Sequence, residues 1–156
     1  MIRQSDGVSL STLIKPENVI FLEGALSKEE VVRRLTERIL PQVSGVISRK
    51  ALFDRVAEVE KLNPVLESGF YIPHAKFSEL DGFHAVLGLL PEGFPDPVTG
   101  LNVKALLLLL SPHKPAFFQR HLNMLSLLSQ TFQPELIDKL AALKDPAEVF
   151  ALIKSK

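Results

Sequence analysis

The side chains best suited to chemistry in this sequence are its histidines, because an imidazole can exchange a proton or accept a group near neutral pH. There are four of them, His74, His84, His113 and His121. The chain contains no cysteine, which excludes a thiolate nucleophile, a disulfide framework and thiolate-ligated zinc. Covalent chemistry in this protein must therefore use oxygen or nitrogen atoms.

The backbone around His74 is the most constrained of the four. Gly69 and Pro73 favour an extended approach to this histidine, and Ala75 leaves space beside its imidazole. A rigid approach and a small neighbour suit a nucleophile. The same pattern also fits a histidine that only caps a strand or hydrogen-bonds to the backbone, and the local sequence leaves both interpretations open.

His121 lies in the apolar stripe of a long helix predicted at 116–132. A histidine in such a stripe is more often a buried, hydrogen-bonded core residue than a catalytic one. If the helix packs against the loop that carries His74, however, the second imidazole can hydrogen-bond to the first, or to a phosphate placed on it. The other members of the stripe are Phe117, Met124, Leu125 and Leu128.

The remaining histidines and motifs give little support to other chemistries. His84 begins a predicted strand and His113 lies in a polar turn, so we interpret both as surface residues. The sequence has no His-Glu-x-x-His helix for zinc, no Gly-x-Ser-x-Gly elbow for a serine hydrolase, and no glycine-rich nucleotide loop. We therefore expect neither a metal site nor a cofactor.

Composition narrows the class of protein. With 156 residues, 46% of them hydrophobic, residues 1–156 are expected to form a single domain, and 1–12 its flexible N-terminal segment. Eighteen basic and eighteen acidic residues cancel, which argues against nucleic acid as a partner. The N-terminus lacks the order of a secretory signal, and the longest aliphatic run, 105–110, is too short to span a bilayer. We expect a cytoplasmic protein without membrane insertion.

The elements that must position the histidines alternate between strand and helix. Apolar patterns predict strands at 19–22, 85–90 and 103–110, and an extended stretch at 68–73 that ends at His74. The run 105–110 is apolar on both faces, as expected when helices cover both sides of a sheet. These patterns predict an α/β three-layer sandwich.

Five helices are predicted from capping residues and prolines. The first begins at Ser27 and ends before Pro41, the second is capped by Ser48, and the third is the helix at 116–132. The last two begin near Pro134 and Pro146.

Two stretches of sequence together carry a resemblance to a known family. Residues 69–76 read Gly-Phe-Tyr-Ile-Pro-His-Ala-Lys, and far downstream stands His121-Leu122-x-x-Leu125-x-x-Leu128. This pair resembles the enzyme IIA domains of the bacterial phosphoenolpyruvate-dependent sugar phosphotransferase system, of the fructose/mannitol type including its nitrogen-regulatory branch. The likeness extends from the helix at Ser27 to the last helix, almost the whole chain.

The resemblance implies a mixed β-sheet and a defined activity. It implies that His74 accepts a phosphoryl group from a phosphohistidine carrier protein and passes it on, in sugar uptake or its regulation, and that His121 supports this histidine. The implied partners are the histidine-containing phosphocarrier protein and a IIB component or a regulatory target protein. The alternative is a non-catalytic or weakly phosphorylated regulatory binding module that keeps the same fold.

The sequence departs from the family near the site, where it lacks the family's glycine-rich segment at 63–68 and also a positively charged residue. Family members commonly carry an arginine sixteen positions before the phosphorylated histidine, and here that position holds Glu58. A carboxylate roughly 4 Å from the phosphate would repel it by about 4 kcal/mol per unit charge at an effective dielectric constant near 20. If Glu58 points away instead, Arg55, Lys61, Lys76 and Arg120 are the candidates for the missing cation, and the sequence does not choose among them.

Overall fold

The computed structural model describes residues 9–156, which form one β-sheet between two layers of helices. The α/β three-layer sandwich expected from the sequence is confirmed. In chain order the elements are α1 (Leu10–Leu13), a 3₁₀ turn (Pro16–Asn18), β1 (Val19–Phe21), α2 (Lys28–Val43), α3 (Arg49–Glu60), β2 (Phe70–Tyr71), β3 (His74–Phe77), β4 (His84–Pro95), β5 (Asn102–Pro112), α4 (Pro115–Thr131), α5 (Pro134–Ala141) and α6 (Pro146–Lys154).

The sheet is mixed, as the resemblance implied. Its strands run in the order β1, β4, β5, β2, with β3 also paired to β5. β1 is parallel to β4, β4 is antiparallel to β5, and both β2 and β3 are parallel to β5. The break between β2 and β3 falls at Pro73, which has no N–H to give to a ladder. Its carbonyl still accepts a bond of 3.0 Å from the N–H of Leu109.

Each face of the sheet carries its own hydrophobic core, because successive side chains of a strand point to opposite faces. One core lies under α2 and α3, and the other lies under α1, α4, α5 and α6. This two-sided burial explains why the run 105–110 is apolar without interruption. From β5, the first core takes Leu106, Leu108 and Leu110, and the second takes Ala105, Leu107 and Leu109.

The predicted helix caps are present, but the predicted end of α2 is wrong. Ser27 and Ser48 each accept a hydrogen bond of 3.1 Å from the backbone N–H three residues later. The helix from Ser27 does not end before Pro41 but continues to Val43. Pro41 lies in its last turn, where the missing N–H removes a single bond, and the additional residues bury Val43 in the core.

The N-terminal part of the chain was expected to be flexible over residues 1–12. Residues 1–8 lie outside the described residues, whereas Leu10–Leu13 form α1, with Leu10 and Leu13 buried against the second core. Across residues 9–156, no helix has both the length and the apolar character needed to cross a membrane.

α2 approaches the sheet closely at Gly88 of β4. A Cβ atom added there would lie 2.9 Å from Cδ1 of Leu35 and 3.1 Å from Cδ2 of Leu106. Both leucines are fully buried, so neither has free space into which to move. The absence of a side chain at Gly88 therefore sets the distance between α2 and the sheet.

We expect Gly88→Ala to lower the free energy of unfolding by about 1–3 kcal/mol, because the methyl group overpacks a filled core. Gly45→Ala is the matched control, since a Cβ at Gly45 would meet nothing within 4 Å. Urea unfolding of the two variants measures the difference. If Gly88→Ala were as stable as Gly45→Ala, the close packing of α2 on β4 would be contradicted.

Candidate functional site

The structure brings two of the four histidines together. His74 is the first residue of β3 and His121 lies in α4, and their ring centroids are 5.5 Å apart with the planes inclined by 47°. His74 is half-buried and His121 is only 3% exposed. Helix α4 therefore packs against the segment that carries His74, which was the condition for the two imidazoles to act together.

The other two histidines lie apart from this pair. Nδ1 of His84 is 3.1 Å from Oε1 of Gln42, a residue of α2. His113 is exposed in the turn after β5, with its ring centroid 5.8 Å from that of Phe118. Neither contact joins the His74–His121 pair.

Two hydrogen bonds fix the position and the tautomer of His74. Its Nδ1 lies 2.6 Å from the carbonyl oxygen of Ile72, and its backbone N–H donates to Oδ1 of Asn63 over 2.9 Å. A carbonyl oxygen can only accept, so Nδ1 must carry the proton. In the neutral imidazole the lone pair is then on Nε2.

A small cavity of about 110 Å³ opens beside His74. Pockets that bind small molecules usually measure roughly 300–1,000 Å³. This one is far smaller and leaves little room for a bound small molecule. Besides His74, the residues around it are Asn63, Pro64, Leu66, Ile72, Leu125 and Ser129.

His121 is held as a neutral side chain. Its Nδ1 lies 2.7 Å from Oγ of Ser111, which is also buried. Burial lowers the pKa of His121 to about 4, and the positive charge of Lys76, together with that of His74 when His74 is protonated, acts in the same direction. At neutral pH this imidazole is therefore a hydrogen-bonding group without charge.

Glu58 is directed toward solvent. Its side chain is 72% exposed, and Oε1 lies 3.5 Å from Nε of Arg55, three residues earlier in α3. Glu58 is not among the residues that surround the cavity of His74. The geometry corresponds to the pairing with Arg55 that helical spacing allows.

Two residues of the site were not recognised in the sequence. Asn63 precedes a proline, and an asparagine in a turn often supplies its side-chain oxygen to nearby backbone, which is a signal that could have marked it. Ser111 follows directly on the aliphatic run 105–110, and a single hydroxyl after such a run is a usable signal for a buried polar contact. Both residues hold the histidines in place.

The neutral state of His121 makes stability depend on pH. Its pKa is about 4 in the folded protein and about 6.5 in an unfolded chain, so between these values the unfolded chain binds more protons and stability falls as the pH decreases. We expect His121→Gln to lose less stability than wild type between pH 7 and pH 4.5, by roughly 2 to 3 kcal/mol. Urea unfolding at both pH values measures this, with His113→Gln at an exposed position as the control. Equal losses in wild type and His121→Gln would contradict the buried neutral state.

The bond from Asn63 to the backbone of His74 gives a second prediction. Asn63→Ala leaves the N–H of His74 without its acceptor, and we expect the free energy of unfolding to fall by about 1–2 kcal/mol. Asn63→Asp keeps an acceptor oxygen and is the matched control. Urea unfolding at pH 7 compares them, and equal stability of the two variants would show that this bond contributes nothing.

Comparison with known proteins places the chain in a family. A sequence model described as "Phosphoenolpyruvate-dependent sugar phosphotransferase system, EIIA 2" matches residues 12–156. No curated protein sequence matches the chain significantly.

Solved structures share the fold. Nitrogen regulatory protein IIA-Ntr from Neisseria meningitidis has a TM-score of 0.78 at 22% identity, over 92% of this chain and 98% of that one. IIA mannitol from Escherichia coli has a TM-score of 0.69 at 20% identity, over 88% and 96% of the two chains. The complex of enzyme IIAMTL with phosphorylated enzyme IIBMTL, also from Escherichia coli, has a TM-score of 0.69 at 17% identity, over 90% and 96%. Since the family match takes in nearly the whole sequence, the chain belongs to the EIIA type 2 family of the phosphoenolpyruvate-dependent sugar phosphotransferase system.

Proposed function

We propose that this protein carries a phosphoryl group on Nε2 of His74. It receives the group in the cytoplasm from the phosphohistidine of a histidine-containing phosphocarrier protein and passes it to a IIB component or a regulatory target. Membership of the family supports a phosphoryl carrier in general. The observation that carries the assignment to Nε2 is the 2.6 Å hydrogen bond from Nδ1 of His74 to the carbonyl of Ile72.

The transfer step requires little assistance from the protein. The lone pair on Nε2 attacks the phosphorus in line, and the nitrogen–phosphorus bond of the donor breaks as the new bond forms. The electron pair of the broken bond returns to the donor imidazole. The ring of His74 gains positive charge, and the carbonyl of Ile72 stabilises it by accepting from Nδ1–H. The positioning of the donor phosphorus in line with Nε2 accounts for most of the rate of phosphoryl transfer.

His121 acts in this proposal as a hydrogen-bond donor. If the hydroxyl of Ser111 donates to Nδ1 of His121, the ring proton of the neutral imidazole is on Nε2. That N–H is available to a phosphoryl oxygen on the neighbouring His74. The low pKa of His121 does not prevent this role, because the neutral ring already has the proton that it donates.

The small cavity is consistent with a carrier whose sugar specificity lies elsewhere. About 110 Å³ beside His74 leaves room for the reacting group and little more. Mostly apolar side chains surround it, which limits access of water to a reactive nitrogen–phosphorus bond.

Phosphorylation in a reconstituted system tests the proposal. With phosphoenolpyruvate, enzyme I and the phosphocarrier protein, we expect one acid-labile phosphate on His74, located by mass spectrometry under alkaline conditions. His74→Ala should take no label. The rate at which His121→Ala is labelled should be about tenfold lower than that of wild type, because this variant loses one donor to the phosphoryl group. His113→Ala is the control and should be labelled like wild type.

The experiment has a clear negative outcome. A wild-type protein that stays unlabelled, under conditions that label another member of the family, would overturn the carrier function. The interpretation would then be a regulatory binding module that keeps the fold. Circular dichroism of each variant confirms that a loss of label is not a loss of folding.

A further inference from the structure

The His74–His121 pair lacks a fixed positive charge of its own. A phosphoryl group on His74 brings close to two negative charges. His121 is neutral at pH 7, since burial holds its pKa at about 4, so it offers a hydrogen bond and no charge. The positive charge that the ring of His74 gains offsets only one of these negative charges, so a lysine or arginine is needed to balance the rest. Arg55, Lys61, Lys76 and Arg120 are the candidates.

Lys76 lies on the same face of β3 as His74. Ala75 and Phe77 are buried in the core under α2 and α3, so the alternating residues His74 and Lys76 face α4. In the register with β5, Lys76 lies opposite Ser111, the residue that is hydrogen-bonded to His121. Alternate residues of a strand are about 6.6 Å apart, which an extended lysine side chain can span.

The ammonium group of Lys76 is placed beside the pair without a carboxylate partner. Its Nζ lies 5.2 Å from the ring centre of Phe118, which precedes His121 by one turn of α4. Between residues 9 and 156 no carboxylate oxygen lies within 4.0 Å of this Nζ. Contacts between a cation and an aromatic ring at partly exposed sites are weak. Lys76 can therefore turn to a phosphoryl oxygen without breaking an ion pair.

Arg55 is bound on the other side of β3. Its Nη1 donates to the backbone carbonyl of Lys76 over 2.9 Å, and its Nε is 3.5 Å from Glu58. The guanidinium lies 5.5 Å from the ring centre of Phe77, a residue of the opposite core. Arg55 thus supports the backbone of β3 and does not share the face of His74.

Lys61 and Arg120 point elsewhere. Lys61 lines a groove with Leu26 and Pro97, under the N-terminus of α2. Arg120 is two residues after Phe118, which places it roughly 160° away around α4, and its guanidinium lies 5.2 Å from the ring centre of Phe117.

We infer that Lys76 is the residue whose ammonium group pairs with the phosphoryl group on His74, in the place of the arginine that the family commonly has where this chain has Glu58. The inference rests on the proposed function, because it requires a phosphoryl group at His74. Lys76 contacts the transferred group directly and stabilises the negative charge on its oxygens.

Phosphoramidate tests the inference without a protein donor. Its phosphorus–nitrogen bond breaks as the bond to Nε2 of His74 forms, and ammonia leaves with the electron pair. The measurement is the rate at which acid-labile phosphate accumulates on His74 in wild type, Lys76→Met, Lys76→Arg and Arg120→Met. Methionine keeps the length of the side chain and removes the charge, and Arg120→Met removes a cation whose guanidinium lies over the ring of Phe117.

We expect Lys76→Met to be labelled roughly 10- to 100-fold more slowly than wild type, and Lys76→Arg to recover most of that loss, because it restores the charge. Arg120→Met should stay within about twofold of wild type, since its guanidinium lies over the ring of Phe117 and not over that of Phe118, where Lys76 lies. Raising the salt concentration should slow wild type and leave Lys76→Met nearly unchanged, a dependence that a merely structural role of Lys76 would not produce.

Three results would overturn the inference: labelling of Lys76→Met at the wild-type rate, equal loss in Arg120→Met, or no labelling of wild-type His74 by phosphoramidate. The proposed carrier function fails by a different result. If phosphoramidate labels His74 in a manner that depends on Lys76, but the phosphocarrier protein does not, the charge role of Lys76 stands and the carrier function falls.

Discussion

The site depends on the register in which β3 pairs with β5. Because side chains alternate along a strand, a shift of one residue would move His74 and Lys76 to the opposite face of the sheet and Ala75 and Phe77 toward α4. The observed register places Ala75 and Phe77 in the core under α2 and α3. Burial of these two apolar side chains thus fixes the direction of His74, and the hydrophobic effect that stabilises the sheet also positions the imidazole of the candidate site.

The break between β2 and β3 orients the imidazole. Pro73 cannot donate to the ladder, so the backbone leaves the strand at 72–73 and the carbonyl of Ile72 is available to Nδ1 of His74. At the first residue of β3 the backbone N–H of His74 bonds to the side chain of Asn63 instead of a strand. The break in the strand therefore allows both the hydrogen bond that sets the tautomer of His74 and the hydrogen bond that holds its backbone. A continuous strand would use these backbone groups in the ladder.

Much of the fold could be predicted because burial and local backbone conformation depend on the types and spacing of residues within short segments of the sequence. The caps at Ser27 and Ser48 and the strand at 105–110 follow from contacts within a few residues or from two-sided burial. The helix end at Pro41 was wrong, because proline is tolerated in a last turn when the residues beyond it are buried. Strand order was not accessible, since it is set by packing between distant segments.

The candidate site was predicted less completely than the fold, for a related reason. The local sequence left His74 open between two interpretations, and only the resemblance joined it to His121, 47 positions away. That the two rings meet at 5.5 Å follows from the packing of α4 on the sheet. The partners Asn63 and Ser111 make single hydrogen bonds, and a single bond leaves no periodic pattern to detect.

The proposed role of Lys76 raises the question of what stabilises its ammonium group while no phosphoryl group is bound to His74. A carboxylate beside the lysine would stabilise the charge in the empty site, but it would then compete with each phosphoryl group and repel it. An aromatic ring avoids this competition: Phe118 attracts the ammonium weakly and gives it up without leaving a negative charge behind. Glu58, at the position of the family arginine, is meanwhile drawn to Arg55 at the solvent face. On this argument, exchange of a family arginine for a glutamate is compatible with phosphoryl transfer as long as its carboxylate stays paired outside the cavity and the lysine remains on the face of His74.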